Sequence, residues 1–302
     1  MFIGYNTNGF AHHRLEDAIA ILTEIGYASV ALTVEHDLLD PPDRGGVERA
    51  AARLQPIIES AGIRVTLETG ARFILDPRRK HQPTLVSADP SDRAKRIEFI
   101  KACIDLAAAV GADSVSLWSG APDPESEPQE QARGHETGRL RSRFGSSAPP
   151  DANESVLFDR LAMSLRELLD HARLANVRLS FEPEPGMLID TIAKFAALER
   201  ALDDPFFGLT LDVGHIHCLG DGVAAEHILR WREKLWNVHI EDMRRGIHEH
   251  LMFGDGDMDF PPIFAALREI DYAGPVHVEL SRHSHNAVEA ARQAFVVLGL
   301  SC

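Results

Sequence analysis

Eight times along this chain a short apolar run is followed by a stretch with helical spacing of apolar residues, and few folds accept that rhythm. The strand-like runs fall at residues 2–5, 28–34, 63–67, 113–118, 177–181, 206–211, 235–238 and 275–278. Helix-like stretches follow at 14–25, 46–61, 91–110, 156–174, 191–202, 223–234, 261–270 and 286–298. In the first of them Leu15, Ala18, Ile19, Leu22 and Ile25 mark one helical face, and Gly26 stops it. The third is read as capped at Ser91. Parallel strands joined by helices cross over right-handedly, and eight such units close on themselves. The expected fold is therefore α/β, a single (β/α)8 TIM barrel spanning residues 1–302. An open doubly wound sheet is the alternative, but it carries a glycine-rich phosphate loop after its first strand. Here that position reads Asn6-Thr7-Asn8-Gly9-Phe10, without the fingerprint.

Composition narrows the function. Hydrophobic residues make up 44%, enough for a large core, and the net charge is −15 with histidines neutral. Such a surface repels nucleic-acid phosphates and anionic lipid, so neither is an expected partner. Cys103, Cys218 and Cys302 are scattered, with no disulfide framework and no zinc-knuckle spacing. With no leader-like N-terminus and no membrane-length apolar run, a cytoplasmic location is expected. A homo-oligomer is left open. Residues 121–153 are rich in Pro, Glu, Gly, Ser and Arg and form a polar insertion after the fourth strand, either a flap or a plain surface loop.

The chemistry gathers at strand ends. The run Phe206-Phe207-Gly208-Leu209-Thr210-Leu211 stops at Asp212, followed by His215 and His217. The strands on either side end in Glu182 and His239, and the last ends in Glu279. A charge at the last residue of a buried strand sits at the barrel mouth, where active sites of this architecture lie. Three carboxylates there would repel one another and raise each other's pKa without a cation. One divalent metal ion held by Glu182, Asp212, His239 and Glu279 is expected. Oxygen-rich ligands with one imidazole suit Mn, Mg or Co, with Zn or Fe also possible.

These residues lie in recognisable motifs. Phe181-Glu182-Pro183-Glu184-Pro185-Gly186, Leu211-Asp212-Val213-Gly214-His215, Val238-His239-Ile240-Glu241-Asp242, Gly254-Asp255-Gly256-Asp257-Met258-Asp259-Phe260 and Val278-Glu279-Leu280 stand in this order. Together they resemble the xylose isomerase-like barrels, the sugar phosphate isomerase/epimerase superfamily. The likeness is strong in the C-terminal half and limited to the strand–helix rhythm in the N-terminal half. It implies a metal-dependent isomerase or epimerase acting on a carbohydrate-like small molecule by proton transfer beside a carbonyl. Glu182 and Glu279 would be the proton-transfer pair, and His215 would hydrogen-bond a substrate oxygen or the enediolate. A dehydratase of the inosose or dehydroshikimate type uses the same apparatus and is the nearest alternative. A multi-zinc nuclease like endonuclease IV needs histidines after strands three and four, where Leu67-Glu68-Thr69 and Leu117-Trp118-Ser119-Gly120 stand. A non-catalytic barrel would have lost a ligand, and none of the four is lost.

Other residues complete the expectation. Glu68 and Trp118 end the third and fourth strands and would meet substrate, Trp118 as an aromatic wall or else as core. Glu184 competes with Glu182 for the ligand position, and His250 would face substrate. His217 reads as a loop residue or support, Glu241 and Asp242 as supports for the histidine or substrate contacts. Arg78-Arg79-Lys80-His81 would meet a substrate anion or simply face solvent.

Overall fold

The structure is a computed structural model that describes residues 1–39, 45–121 and 152–299. Eight parallel strands form a closed barrel: β1 (Phe2–Asn6), β2 (Ser29–Thr33), β3 (Arg64–Glu68), β4 (Val115–Leu117), β5 (Leu179–Phe181), β6 (Phe207–Asp212), β7 (Leu235–Ile240) and β10 (Pro275–Val278). Neighbours follow chain order round the ring, and β1 closes it by pairing with both β2 and β10. Around it run α1 (Leu15–Ile25), α2 (Gly46–Ala61), α3 (Pro90–Val110), α4 (Ala152–Ala175), α5 (Ile192–Leu202), α6 (Val213–Leu219), α7 (Ala224–Trp231), α8 (Pro261–Glu269) and α9 (Ala287–Gly299). β8 (Asp242–Arg244) and β9 (Ile247–Leu251) form an antiparallel hairpin beyond β7. Among the described residues no helix is long and apolar enough to cross a membrane.

Local chemistry explains the element ends. Gly26, Gly62 and Gly111 end α1, α2 and α3 in the left-handed region, which a glycine enters without strain. The cap of α3 is Asp89, whose carboxylate accepts from the Ser91 amide at 2.8 Å, so the expected Ser91 cap lies two residues too far in. Two elements depart further from the sequence reading. A short helix, α6, begins immediately after Asp212, and the stretch expected as a twenty-residue loop after His239 contains the β8–β9 hairpin. Of the polar insertion at 121–153, residues 122–151 lie outside the described residues.

The apolar core fills the space between strands and helices, with Phe181, Phe195 and Phe207 in one aromatic cluster. The barrel lumen is polar instead. Ser116 and Thr210 meet across it at 3.1 Å, and His277 reaches Ser29 at 2.9 Å and Asn237 at 2.8 Å. Gly4 on β1 makes room for the His277 ring: an added Cβ would stand 2.7 Å from Nε2 and closer still to Cδ2. Gly4→Ala is therefore expected to cost about 1–3 kcal/mol by overpacking. Urea unfolding would measure it, and an unchanged midpoint would show that the lumen gives way freely.

Candidate active site

Strands β5, β6, β7 and β10 are neighbours in the barrel, and their mouth ends deliver Glu182, Asp212, His239 and Glu279. One ligand atom from each lies within 4.8 Å of the others. His239 Nδ1 stands 3.0 Å from Glu182 Oε1 and 3.0 Å from Glu279 Oε2. Asp212 divides its two oxygens. Oδ1 accepts from the His215 amide at 2.8 Å, capping α6, whereas Oδ2 is buried without a hydrogen-bond partner. A buried orphan carboxylate oxygen beside two glutamates and an imidazole nitrogen is what a divalent cation would satisfy. The donor set fits such an ion.

The electrostatics agree. Burial pushes Glu182 up to about 7, against the pull of His239. Burial also raises Asp212. For Glu279 burial acts upward too, but His250 and His239 outweigh it and hold the group well below the carboxylate range. Burial would depress His239, yet Glu182 and Glu68 carry it well above its ordinary value. A cation among these side chains would hold all three carboxylates ionised and leave His239 neutral at Nδ1.

His239 is oriented from behind. Its Nε2 is 3.1 Å from Glu68 Oε1, and Asn237 Nδ2 donates to the same oxygen at 3.3 Å. Asn237 Oδ1 accepts from His277 Nδ1, and His277 Nε2 accepts from the Ser29 hydroxyl. This tautomer of His277 follows from its partners, since an amide oxygen can only accept. Burial lowers the His277 pKa, consistent with the neutral ring. Glu68, expected to contact substrate, thus spends Oε1 on the histidine. Carboxylate–histidine–metal arrangements of this kind fix ring and tautomer, and losing the carboxylate costs about 10–100-fold in metal affinity. Glu68→Ala is expected to weaken cation binding by that factor in a chelator competition. Unaltered affinity would show that Glu68 is not part of the support.

A second group of side chains lines the mouth beside the first. α6 projects His215, whose Nε2 lies 3.0 Å from His248 Nε2 and 3.6 Å from Glu184 Oε2. Burial and the neighbouring His248 drive the His215 pKa well down, so it is a neutral imidazole. His248 and His250 alternate on β9 and share one face, with Glu249 turned outward to Arg282 at 3.1 Å. His250 Nδ1 faces Glu241 Oε2 at 3.7 Å, and despite burial the carboxylates of Glu279 and Glu241 raise His250 to about 10. Trp118 sits at the mouth end of β4, mostly buried, its ring between Arg96 and His81. The basic cluster is divided: Arg79 pairs with Asp76 at 2.7 Å, His81 turns inward, and Lys80 lies near enough to Glu184 to feel its charge.

The model of the family described as xylose isomerase-like TIM barrel matches residues 19–298. The chain belongs to that family. Among curated relatives of this xylose isomerase-like barrel is L-ribulose-5-phosphate 3-epimerase UlaE of Salmonella paratyphi C (strain RKS4594), 27% identical over 248 residues, covering 78% of this chain and 75% of the relative. The D-allulose 3-epimerase of Methylomonas sp. in complex with D-allulose is similar in fold, with a TM-score of 0.69, 18% identity, and coverage of 100% of this chain and 97% of that one. The IOLI protein, solved with a bound zinc atom, superimposes with a TM-score of 0.70 at 17% identity, covering 100% and 98%.

Asn8 of this xylose isomerase-like barrel escaped the sequence reading, and residues read only as supports take definite places. Asn8 donates to Glu279 Oε1 at 2.8 Å and so steers a ligand from the loop after β1. Asp242 accepts from the amides of Gly254, Gly256 and Met258 at 2.9, 3.0 and 3.2 Å and pins the glycine turn. Glu241 is wholly buried, with both carboxylate oxygens lacking a hydrogen-bond partner. His217 turns away to Asp257. Spacing alone offered no signal for Asn8. His250 was expected to face substrate, and its two-residue alternation with His248 after Gly246 is the signal of the β9 strand that the loop reading passed over.

Proposed function

We propose that this protein is a divalent-metal-dependent sugar or sugar-phosphate epimerase acting at the carbon beside a ketose carbonyl. The observation that carries the reading is the placement of two glutamates against one nitrogen: Glu182 after β5 and Glu279 after β10 both reach His239 Nδ1. With β6 and β7 between them, the two carboxylates come to the mouth from separate strands. Glu182, Asp212, His239 and Glu279 would hold a divalent cation, which would supply Lewis-acid polarisation of a carbonyl and its neighbouring hydroxyl. One glutamate then removes the carbon-bound proton and the other delivers a proton to the opposite face, which inverts the centre. Asn8 holds Glu279 at Oε1 and leaves Oε2 facing His239 Nδ1. His215, neutral on α6, donates to or accepts from a substrate oxygen, and Trp118 forms an apolar wall against the sugar.

The test is proton exchange in deuterated water with metal-loaded protein, using L-ribulose 5-phosphate and D-allulose with further ketoses and their phosphates. Deuterium should enter at the carbon beside the carbonyl, together with the inverted epimer. Absence of both across the panel would refute the reading. Loss of water in place of inversion would convert it to a dehydratase.

A further inference from the structure

Arg96 on α3 is fully buried, yet among the described residues no carboxylate stands against its guanidinium. Nη2 donates to the Thr69 carbonyl at 2.7 Å, while Nε and Nη1 have no hydrogen-bond partner. Two aromatic rings lie close to it. Cζ lies 4.6 Å from the Trp118 ring centroid and 5.7 Å from that of Phe99. Leucine or methionine would fill such a place without the desolvation cost of a lone buried cation. The charge itself must therefore be in use, and the dry face of an indole is where a cation–π contact is strongest.

We propose that Arg96 is a positioning residue that presets the Trp118 wall for substrate. The proposal rests on the reading of the mouth as a sugar site. Side chains of Ser114 and Ser116 point into the lumen, to Ser180 and Thr210, so Trp118 continues the inward-facing row at the mouth. The adjacent Leu117 carbonyl accepts from the Glu182 amide at 2.8 Å, which ties the wall to a ligand-bearing strand. Thr69, the carbonyl partner of Arg96, sends both its amide and its hydroxyl to the Ser116 carbonyl, at 3.1 and 2.9 Å. Arg96 thus clamps the residue after Glu68 to the residue that ends the β4 row. His81 meets the ring of Trp118 edge-on at 5.3 Å and 89°, and its Nδ1 donates to the Gly70 carbonyl at 2.6 Å. The Arg96 and His81 contacts hold the indole before any sugar arrives, so binding need not order it.

Arg96→Met keeps the bulk and removes the charge, whereas Arg96→Lys keeps the charge without the planar stack. On metal-loaded protein, with L-ribulose 5-phosphate and D-allulose as probes, Arg96→Met should raise KM about tenfold and leave kcat within about threefold. Arg96→Lys should recover part of that loss. Trp118→Leu should raise KM by itself, and adding Arg96→Met to it should change little, because the effect runs through the ring. With 5-fluorotryptophan labelling, the resonance that disappears in Trp118→Leu should broaden in Arg96→Met, a readout that needs no substrate. Should Arg96→Met fail to fold, the lysine variant and its combination with Trp118→Leu carry the same comparisons. An unshifted, sharp Trp118 resonance in a folded Arg96 variant overturns the clamp whatever the substrate. Effects on KM that multiply in the double variant also overturn it. An ordered-to-broadened resonance with no KM change in Trp118→Leu leaves the clamp standing and refutes the sugar wall.

Discussion

Glu182→Gln and Glu279→Gln should each lower turnover by at least about a hundredfold, the scale of a positioned acid or base. Glutamine keeps the length and one liganding oxygen of the side chain but cannot accept and return a proton. Metal should therefore persist, at least in part, and the loss should appear in kcat more than in KM. The two variants should also differ from each other. An epimerase that has lost only the acid that completes inversion still exchanges the carbon-bound proton with deuterated solvent, whereas one that has lost the base does not. The surroundings of the pair are unequal, since Asn8 holds Glu279 at Oε1. Near-normal turnover in both variants would end the proton-transfer assignment.

Asp212→Ala and His239→Ala should each empty the cation site, since each removes one of four donors from a set with little redundancy. Asp212 carries a second task, because its Oδ1 caps α6 through the His215 amide. Alanine there should also lower stability by about 1 kcal/mol, the usual value of an N-cap. Asp212→Asn separates the two tasks: the amide oxygen can still cap the helix, while the lost charge weakens the ion. His239→Ala should leave α6 intact and strip the ion alone. Elemental analysis after dialysis, paired with thermal unfolding, reads both effects. Full metal content in Asp212→Ala and His239→Ala would mean that the ion binds elsewhere.

The barrel was legible because its signals are local and repeated. Each strand is a buried apolar run, each of the first three helices stops at a left-handed glycine, and the rhythm admits few closures. The mouth charges were legible for the same reason, as polar residues ending apolar runs. What stayed hidden depends on distant partners. Glu68 reads as a strand-end carboxylate, but only closure of the barrel brings it to His239, 171 positions away. Asn8 finds Glu279 across 271 positions. Nothing beside Arg96 in the chain announces that Trp118 will lie over it. The α6 helix was missed because seven residues are too few to display a period, although Asp212 three residues before His215 is itself a capping arrangement.

The four candidate donors all come from the second half of the chain, between Glu182 and Glu279, whereas Glu68, the carboxylate against His239 Nε2, comes from the first. Ser29, on β2, starts a line of contacts through His277 and Asn237 that ends at Glu68 on β3, beneath His239. A nascent or severed C-terminal half would own every ligand and still lack a properly turned histidine. If the quartet holds an ion, tight capture is expected only once the N-terminal strands have joined the ring, and metal affinity would then gauge completed assembly. It also sets a limit on recombining halves of such barrels, because a donor quartet transplanted without its matching N-terminal lumen would bind the ion loosely.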